Sequence, residues 1–523
     1  MPRAKSAKTL LELSIAYVVQ SMNQWTWKPI KLSDAISDLE LGTSPLHQLP
    51  LHVLEEIMYY LHYNNLLDKH LKWVITSQLD ELLLTSCNEV QIRGYLKHAA
   101  IQCPCMKSIE FQRSRDNILN IETSILQFFP KFQQLEKLEI AFTSVGDNSL
   151  EVFGTYCKYL RELDVSHCPA VTDAGIERLC GDADYLGEEG GRIDYMWDNG
   201  KCKGIQILRV KGTNVTKKGI QIALQNLPSL KVLSHELVVE VLSNIHQLAL
   251  ENNLPVIPKF SVTEITVVSP YVPGSFVVAL LLCPSIIKVK IKGINGFLNS
   301  DLLALLSLAS LRHLQISACP EVKFYDGVIP LLKANGDLLE SLKLENFYDV
   351  DFHSIVELCP NLNSLVIDDC VSREIPIEEQ DNSVRRKRIK VEHPILKKLE
   401  VLRVTFSSVN SESLLLLLSS PSLKGLEITD CFELTDDILE RAALLHDFQH
   451  LEELELAYCD SVTKKGIDLL LNDSNSIREM SLQFDFEHSE LLTAENINEW
   501  KEKSKQKNWQ LKLDFYVQET NCS

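Results

Sequence analysis

Apolar positions along this chain recur as L-x-x-L-x-L, with a cysteine three residues further on in the best copies and then V-T-D or V-T-K. Leu160, Leu163, Val165 and Cys168 lead into Val171-Thr172-Asp173-Ala174-Gly175-Ile176, and Leu451, Leu454, Leu456 and Cys459 lead into Val462-Thr463-Lys464-Lys465-Gly466-Ile467. Leu423, Leu426, Ile428 and Cys431 precede Leu434-Thr435-Asp436, and weaker copies begin at Leu79, Met106, Leu135, Ile205, Leu230, Ile286, Leu311, Leu339, Leu362, Leu399 and Ile477. Where neighbours are contiguous the offset is 23 to 29 residues. The alternating second and third apolar positions predict a strand with one buried face, and the helical spacing that follows predicts a helix. A unit of one strand and one helix cannot bury its apolar face alone, so the copies must stack.

The cysteine of each copy stands where the chain turns out of the strand and needs a small, buryable side chain. This makes Cys87, Cys168, Cys319, Cys370, Cys431 and Cys459 core residues. A second set, Cys103, Cys283 and Cys359, each precedes a proline that stops the helix before the next strand. The arrangement resembles the cysteine-containing subclass of leucine-rich repeats, best known from substrate receptors of ubiquitin ligases. The resemblance implies an α/β leucine-rich-repeat solenoid, a horseshoe with a parallel concave sheet and outer helices, and binding rather than catalysis. The expected organisation is an N-terminal helical cap or adaptor-binding box over 1–78, repeats over 79–485 with insertions at 181–201 and 371–395, and a C-terminal cap over 486–523.

The segment before the repeats holds two motifs. Thr9 and Glu12 form a capping box that predicts a helix start, and Leu10, Ser14 and Val18 then share one face. A small residue between apolar anchors lets a helix lie close in a partner's groove. The second motif, Leu49-Pro50-Leu51-His52-Val53-Leu54-Glu55-Glu56-Ile57, places Pro50 in a first turn, with Val53 and Ile57 extending the apolar stripe. Together they resemble the von Hippel-Lindau-type box. That resemblance implies that Thr9, Leu10, Ser14 and Val18 bind elongin C, in complex with elongin B, and that Leu49, Pro50, Val53 and Ile57 bind cullin-2. Box followed by repeats is similar to the order of parts in the Zyg and Zer receptors. Leu49-Pro50 through Leu66-Leu67 also resembles the opening of an F-box, which implies the Skp adaptor and cullin-1 instead. A plain amphipathic cap on the first repeat is the third alternative.

In the repeat frame, residues flanking the buried strand positions point to the concave face. Glu162 and Asp164, then Glu427, Glu453, Glu455 and Glu479, make it acidic, while Arg209, Lys211, Lys288, Lys290 and Lys292 predict a central basic stripe. Such a stripe suits an acidic or phosphorylated substrate protein, whereas solvated strand faces would carry the same charges with no ligand. The insertion at 181–201 interleaves Tyr185, Tyr195 and Trp197 with acids. Its Asp182-x-Asp184 is no calcium loop, because position twelve is Ile193 where a bidentate Glu is required. The insertion at 371–395 carries Arg385, Arg386, Lys387, Arg388 and Lys390, a nuclear-import signal or a solvated basic loop.

Composition trims the remaining classes. A net charge of -19 over 523 residues opposes general nucleic-acid binding. The longest apolar runs, Phe276 to Cys283 and Leu414 to Leu418, are too short to span a bilayer, and the basic N-terminus is followed by Glu12 with no cleavage-like site. Neither membrane nor nucleic acid is therefore an expected partner. Fourteen cysteines without a C-x-x-C pair read as reduced thiols of a cytoplasmic or nuclear protein with no metal and no cofactor. No G-x-S-x-G, P-loop, H-E-x-x-H or dinucleotide fingerprint occurs, so no catalytic residue is named and the chain is expected not to be an enzyme.

Overall fold

The computed structural model describes residues 10–25, 29–30, 41–42, 44–85, 87–103, 105–112, 118–181, 202–253, 255–373, 396–471, 475, 477–485, 494–507 and 510–516. They form two compact bodies, one from Lys8–Thr266 with Leu281–Ser285, the other from Val267–Leu280 with the chain from Ile286 onward. Thr9, the tyrosines and tryptophan of the first insertion, and the basic run Arg385 to Lys390 lie outside the described residues.

In the first body the strands Glu81–Thr85, Ser108–Gln112, Lys137–Glu139, Glu162–Asp164, Ile207–Arg209 and Val232–Ser234 pair in parallel, in chain order. In the second, Lys288–Lys292, His313–Ser317, Ser341–Glu345, Ser364–Asp368, Val401–Thr405, Gly425–Thr429, Glu453–Ala457, Glu479–Asp485 and Gln510–Tyr516 do the same. Each L-x-x-L-x-L is one of these strands. Its alternating Leu and Ile side chains are buried, as at Leu163, Leu365 and Ile367, while their neighbours stay partly open. This is the α/β leucine-rich-repeat solenoid, built of parallel strands each linked to the next through a helical or turn segment.

Two contacts between successive repeats explain the motif residues. Asp147 accepts from the backbone N–H of Thr172 at 2.8 Å and from its hydroxyl at 2.7 Å. Asp173 repeats this with Thr216 at 2.7 and 2.6 Å and adds the Gly219 N–H at 2.9 Å. Asp436 does the same with Thr463 and Gly466. Each carboxylate thus caps the helix of the following repeat, where free N–H groups and the helix dipole favour an anion. A Cβ on Gly175, Gly219 or Gly466 would collide with that carboxylate. V-T-D therefore stands where another V-T copy follows, and V-T-K where the run ends. There Lys217 pairs with Glu240 and Lys464 with Asp468 and Glu499.

The second contact uses the residue after the first apolar position of each copy. Uncharged at Gln206, Ile287 and Asn363, it alternates in sign over the runs of copies between them. Lys107 pairs with Asp80 at 2.9 Å and Arg161 with Glu136 at 3.8 Å, while in the second body Arg312 meets Glu340 at 2.6 Å, Lys424 meets Glu400 at 2.8 Å and Arg478 meets Glu452 at 3.3 Å. These exposed pairs add little stability singly, but a slipped register would bring like charges together.

Two segments are more regular than the sequence pattern indicates. The copy around Ile265 and Val267 reads as degenerate, yet Glu264–Val268 is a full strand with both side chains buried. The C-terminal segment, expected as a cap, continues the sheet. Gln510–Tyr516 pairs with all seven residues of Glu479–Asp485. The helix before it, Ala494–Lys507, buries Trp500, whose indole N–H donates to Asp468 at 3.0 Å.

Candidate functional site

Two surfaces carry the residues singled out in the sequence: the N-terminal helices and the open face of the strands. The helix Leu10–Met22 buries Ile15, Val19 and Met22 along one stripe. On other sides it exposes Leu11 by 40%, Leu13 by 53% and Tyr17 by 74%. Ser14 is exposed and Val18 half-buried, while the Leu10 side chain lies outside the described residues. At 100° per residue, Leu13, Ser14 and Tyr17 cluster on the side away from the buried stripe.

The second motif is helical, and its apolar stripe turns inward. Pro50, at φ -58°, sits just before the helix Leu51–Tyr63, and its carbonyl accepts from Val53 and Leu54 at 3.0 and 3.2 Å. Pro50 is exposed and Leu49 and Val53 are half-buried, but Ile57 is only 1% exposed. It belongs to the stripe Leu54, Ile57, Met58 and Leu61, which this helix buries. Its neighbours are the helices on either side and the strand Glu81–Thr85. The Tyr59 hydroxyl donates to Glu81 at 3.2 Å, and His62 Nδ1 lies 3.5 Å from the Thr85 hydroxyl. Burial and the Glu81 carboxylate raise the Tyr59 pKa. The next helix, Leu67–Val74, buries Trp73, whose ring meets Trp25 edge-on with centroids 5.5 Å apart. The apolar stripe expected to reach cullin-2 through Ile57 is therefore spent within the chain, and only its first turn remains accessible.

On the strand face, Arg209 pairs in register with Asp164, and Lys211 meets Glu236 at 3.4 Å. Lys288, Lys290 and Lys292 alternate with buried Val289 and Ile291 and face His313, Gln315 and Ser317 of the next strand. None of the three is without an interaction partner. Arg209 and Lys211 belong to the first body and these lysines to the second. The acidic columns are in register too: Glu427 faces Glu455 and Glu453 faces Glu479. Burial and the neighbouring Glu427 hold the Glu455 carboxyl above its usual range. Arg403, 2.8 Å from Glu427, and Lys512, paired with Glu479, offset part of this charge. Neither cation was among the residues singled out from the sequence, because each is recognisable only once the strands are aligned.

The cysteines are core residues in both expected sets. Burial pushes the thiols of Cys103, Cys283, Cys359 and Cys459 up to about 12, which disfavours the nucleophilic thiolate. Among the described residues no group of three His, Cys, Asp or Glu side chains could hold a metal ion, and no helix is long and apolar enough to cross a membrane.

Comparison with family models agrees with the repeat assignment. The family described as Leucine Rich repeat matches residues 156–180 and 449–471, the two segments where the V-T motif is best formed. No curated protein matches the chain as a whole. Among solved structures, the yeast Rad7 and Elc1 complex contains a chain similar to this one at 14% identity and a TM-score of 0.42, over 91% of this chain and 94% of that one. The chain carries leucine-rich repeats in an α/β solenoid fold.

Proposed function

We propose that the chain is the non-catalytic, substrate-recognition subunit of a cullin-RING ubiquitin ligase, acting in the cytoplasm or nucleus. Its first helix docks on elongin C, in complex with elongin B, and the strand face holds the substrate protein. Other subunits supply the ubiquitin chemistry, and the receptor contributes proximity. One observation carries the adaptor reading: Leu10–Met22 has one apolar stripe on the chain and another, with Leu13 and Tyr17, in solvent. A cap needs only the first. The resemblance of residues 9–18 to the elongin-binding pattern points the same way, and the accessible cullin contact reduces to Leu49, Pro50 and Val53.

A second reading is favoured by the burial of Leu54, Ile57, Met58 and Leu61. In it the segment is a cap, and the chain is a repeat scaffold for protein assembly unconnected with ubiquitin. Affinity purification from cells of the intact chain and of a Leu13→Asp, Tyr17→Asp variant separates the readings. Elongins B and C with cullin-2, lost in the variant, is the expected result. The Skp adaptor with cullin-1 would favour the F-box alternative, and absence of every adaptor would leave the scaffold.

A further inference from the structure

Seven turns of the second body leave their strands through a left-handed residue at the same place, among them the successive Asp369, Phe406, Asp430 and Tyr458, with φ of 47°, 49°, 52° and 52°. They are neighbours along one rim of the sheet. The N–H of Asp369 donates to Thr405 at 3.0 Å, that of Phe406 to Thr429 at 3.0 Å and that of Asp430 to Ala457 at 2.9 Å. Acid and aromatic thus alternate at about one strand spacing, ~4.8 Å. Left-handed backbone is cheap for glycine, asparagine or aspartate and costly for a bulky ring. Gly293, Ala318 and Asn346 occupy the equivalent place in the three other turns of this body.

Phe406 does not serve the core, because it is 63% exposed, and Phe432, two residues beyond Asp430, is 61% exposed. The turn segments 368–372, 406–410, 430–434 and 458–462 hold five carboxylates, Asp368, Asp369, Asp430, Glu433 and Asp460, against the nearby cations Lys343, 3.4 Å from Asp368, and Arg373. Ser408 donates to Glu433 at 3.0 Å, which ties two adjacent turns together. Burial and the nearby Asp460 raise the Asp430 pKa, a sign that the acids feel one another.

The geometry points to this rim as a docking surface for an arginine- or lysine-rich segment of another protein. The phenylalanine faces take the apolar stem and the cation, and the flanking carboxylates take its charge. A neutral apolar partner would strip water from the carboxylates without replacing it, and an acidic segment would be repelled. This inference stands apart from the adaptor reading, since it concerns a different body and needs no elongin.

The test is fluorescence anisotropy of a fluorescein-labelled peptide of alternating arginine and serine, titrated with the full chain. Saturable one-to-one binding is expected, weakened about tenfold in a Phe406→Ser, Phe432→Ser variant and similarly in Asp430→Asn, Asp460→Asn. Phe406→Tyr should keep the affinity. Both substituted phenylalanines are exposed, so an unchanged circular dichroism spectrum is expected and checks the fold. The control, Glu357→Gln with Asp437→Asn, removes the same charge from helices of this body and should change binding by less than about twofold. Full affinity in the phenylalanine variant, an equal loss in the control, or binding that never saturates would each overturn the proposal, since net charge alone would then explain the attraction.

Discussion

Replacing Asp173 by alanine removes the contact by which one repeat caps the next. Its carboxylate accepts three hydrogen bonds, from the Thr216 N–H at 2.7 Å, the Thr216 hydroxyl at 2.6 Å and the Gly219 N–H at 2.9 Å. Hydrogen bonds to a charged group contribute roughly 1.5–3 kcal/mol where water is excluded, and a lost helix cap costs about 1 kcal/mol. Asp173 is half-buried, so water replaces part of what is removed. A local loss of about 2 kcal/mol follows, and about 1 kcal/mol for Asp173→Asn, which keeps the shape and loses the charge. Long repeat arrays need not unfold in one step, so a single denaturation midpoint is the wrong readout. Amide hydrogen exchange at Thr216 and Gly219 is the right one: about 2 kcal/mol corresponds to roughly thirtyfold lost protection. Thr216→Ala should cost less in the Asp173→Ala background than alone, because the bond between the two is already gone and only the Thr216 cap on the Lys218 N–H remains to be lost. Unchanged exchange at both amides, or full additivity of the two substitutions, would refute the capping argument.

Three further outcomes follow from the same geometry. His98 is buried, and desolvation lowers its pKa against a smaller opposing effect of the Ile75 backbone. A depressed pKa means stability present above the unfolded value of about 6.5 and lost as pH falls through the folded one, so acidification should weaken the first body and His98→Asn should flatten that dependence in the protection factors of amides in the helix Glu89–Gln102. Iodoacetamide on the folded chain, read by peptide mass spectrometry, should modify exposed Cys105 and spare buried thiols such as Cys157, held up at about 12; rapid labelling of Cys157 would contradict the burial. Gly154→Ala would place a Cβ 2.7 Å from the Leu179 carbonyl and 3.1 Å from that of Arg178, and should cost about 2 kcal/mol of local protection in amide exchange of the helices Asp147–Tyr156 and Asp173–Cys180, whereas Gly94→Ala, which meets nothing within 4 Å, should be neutral or better.

The strands were legible because a one-sided strand imposes its own period. Leu163 and Val165, or Leu426 and Ile428, announce burial without reference to any other residue. The cysteines were legible for the same reason, since their offset from the strand is constant. What stayed hidden depends on which residues of different copies face each other. The Asp173 to Thr216 clamp spans an insertion, and the Arg403 to Glu427 pair spans one repeat, so neither has a fixed local spacing. At Ile57 the difficulty was of another kind. An apolar stripe at helical spacing shows that a face will be covered, but not whether the cover is a partner or, as here, the chain itself. Ile15, Val19 and Met22 repeat the point on the first helix: its buried stripe was not the face that the Leu10, Ser14 and Val18 motif marks. The terminal strand Gln510–Tyr516 alternates at Leu511, Leu513 and Phe515, but it was expected only as part of a cap, and its continuation of the sheet became clear from its register.

The central claim is that the solvent-facing side of Leu10–Met22 binds an adaptor. Its most direct measurement is isothermal titration of the purified chain with purified elongin B and C, alongside the Leu13→Asp, Tyr17→Asp variant checked by circular dichroism. Saturable binding that weakens at least about tenfold in the folded variant is the expected result. No binding by the intact chain, or equal binding by the variant, would contradict the claim and leave the N-terminal helices as a cap on the first repeat.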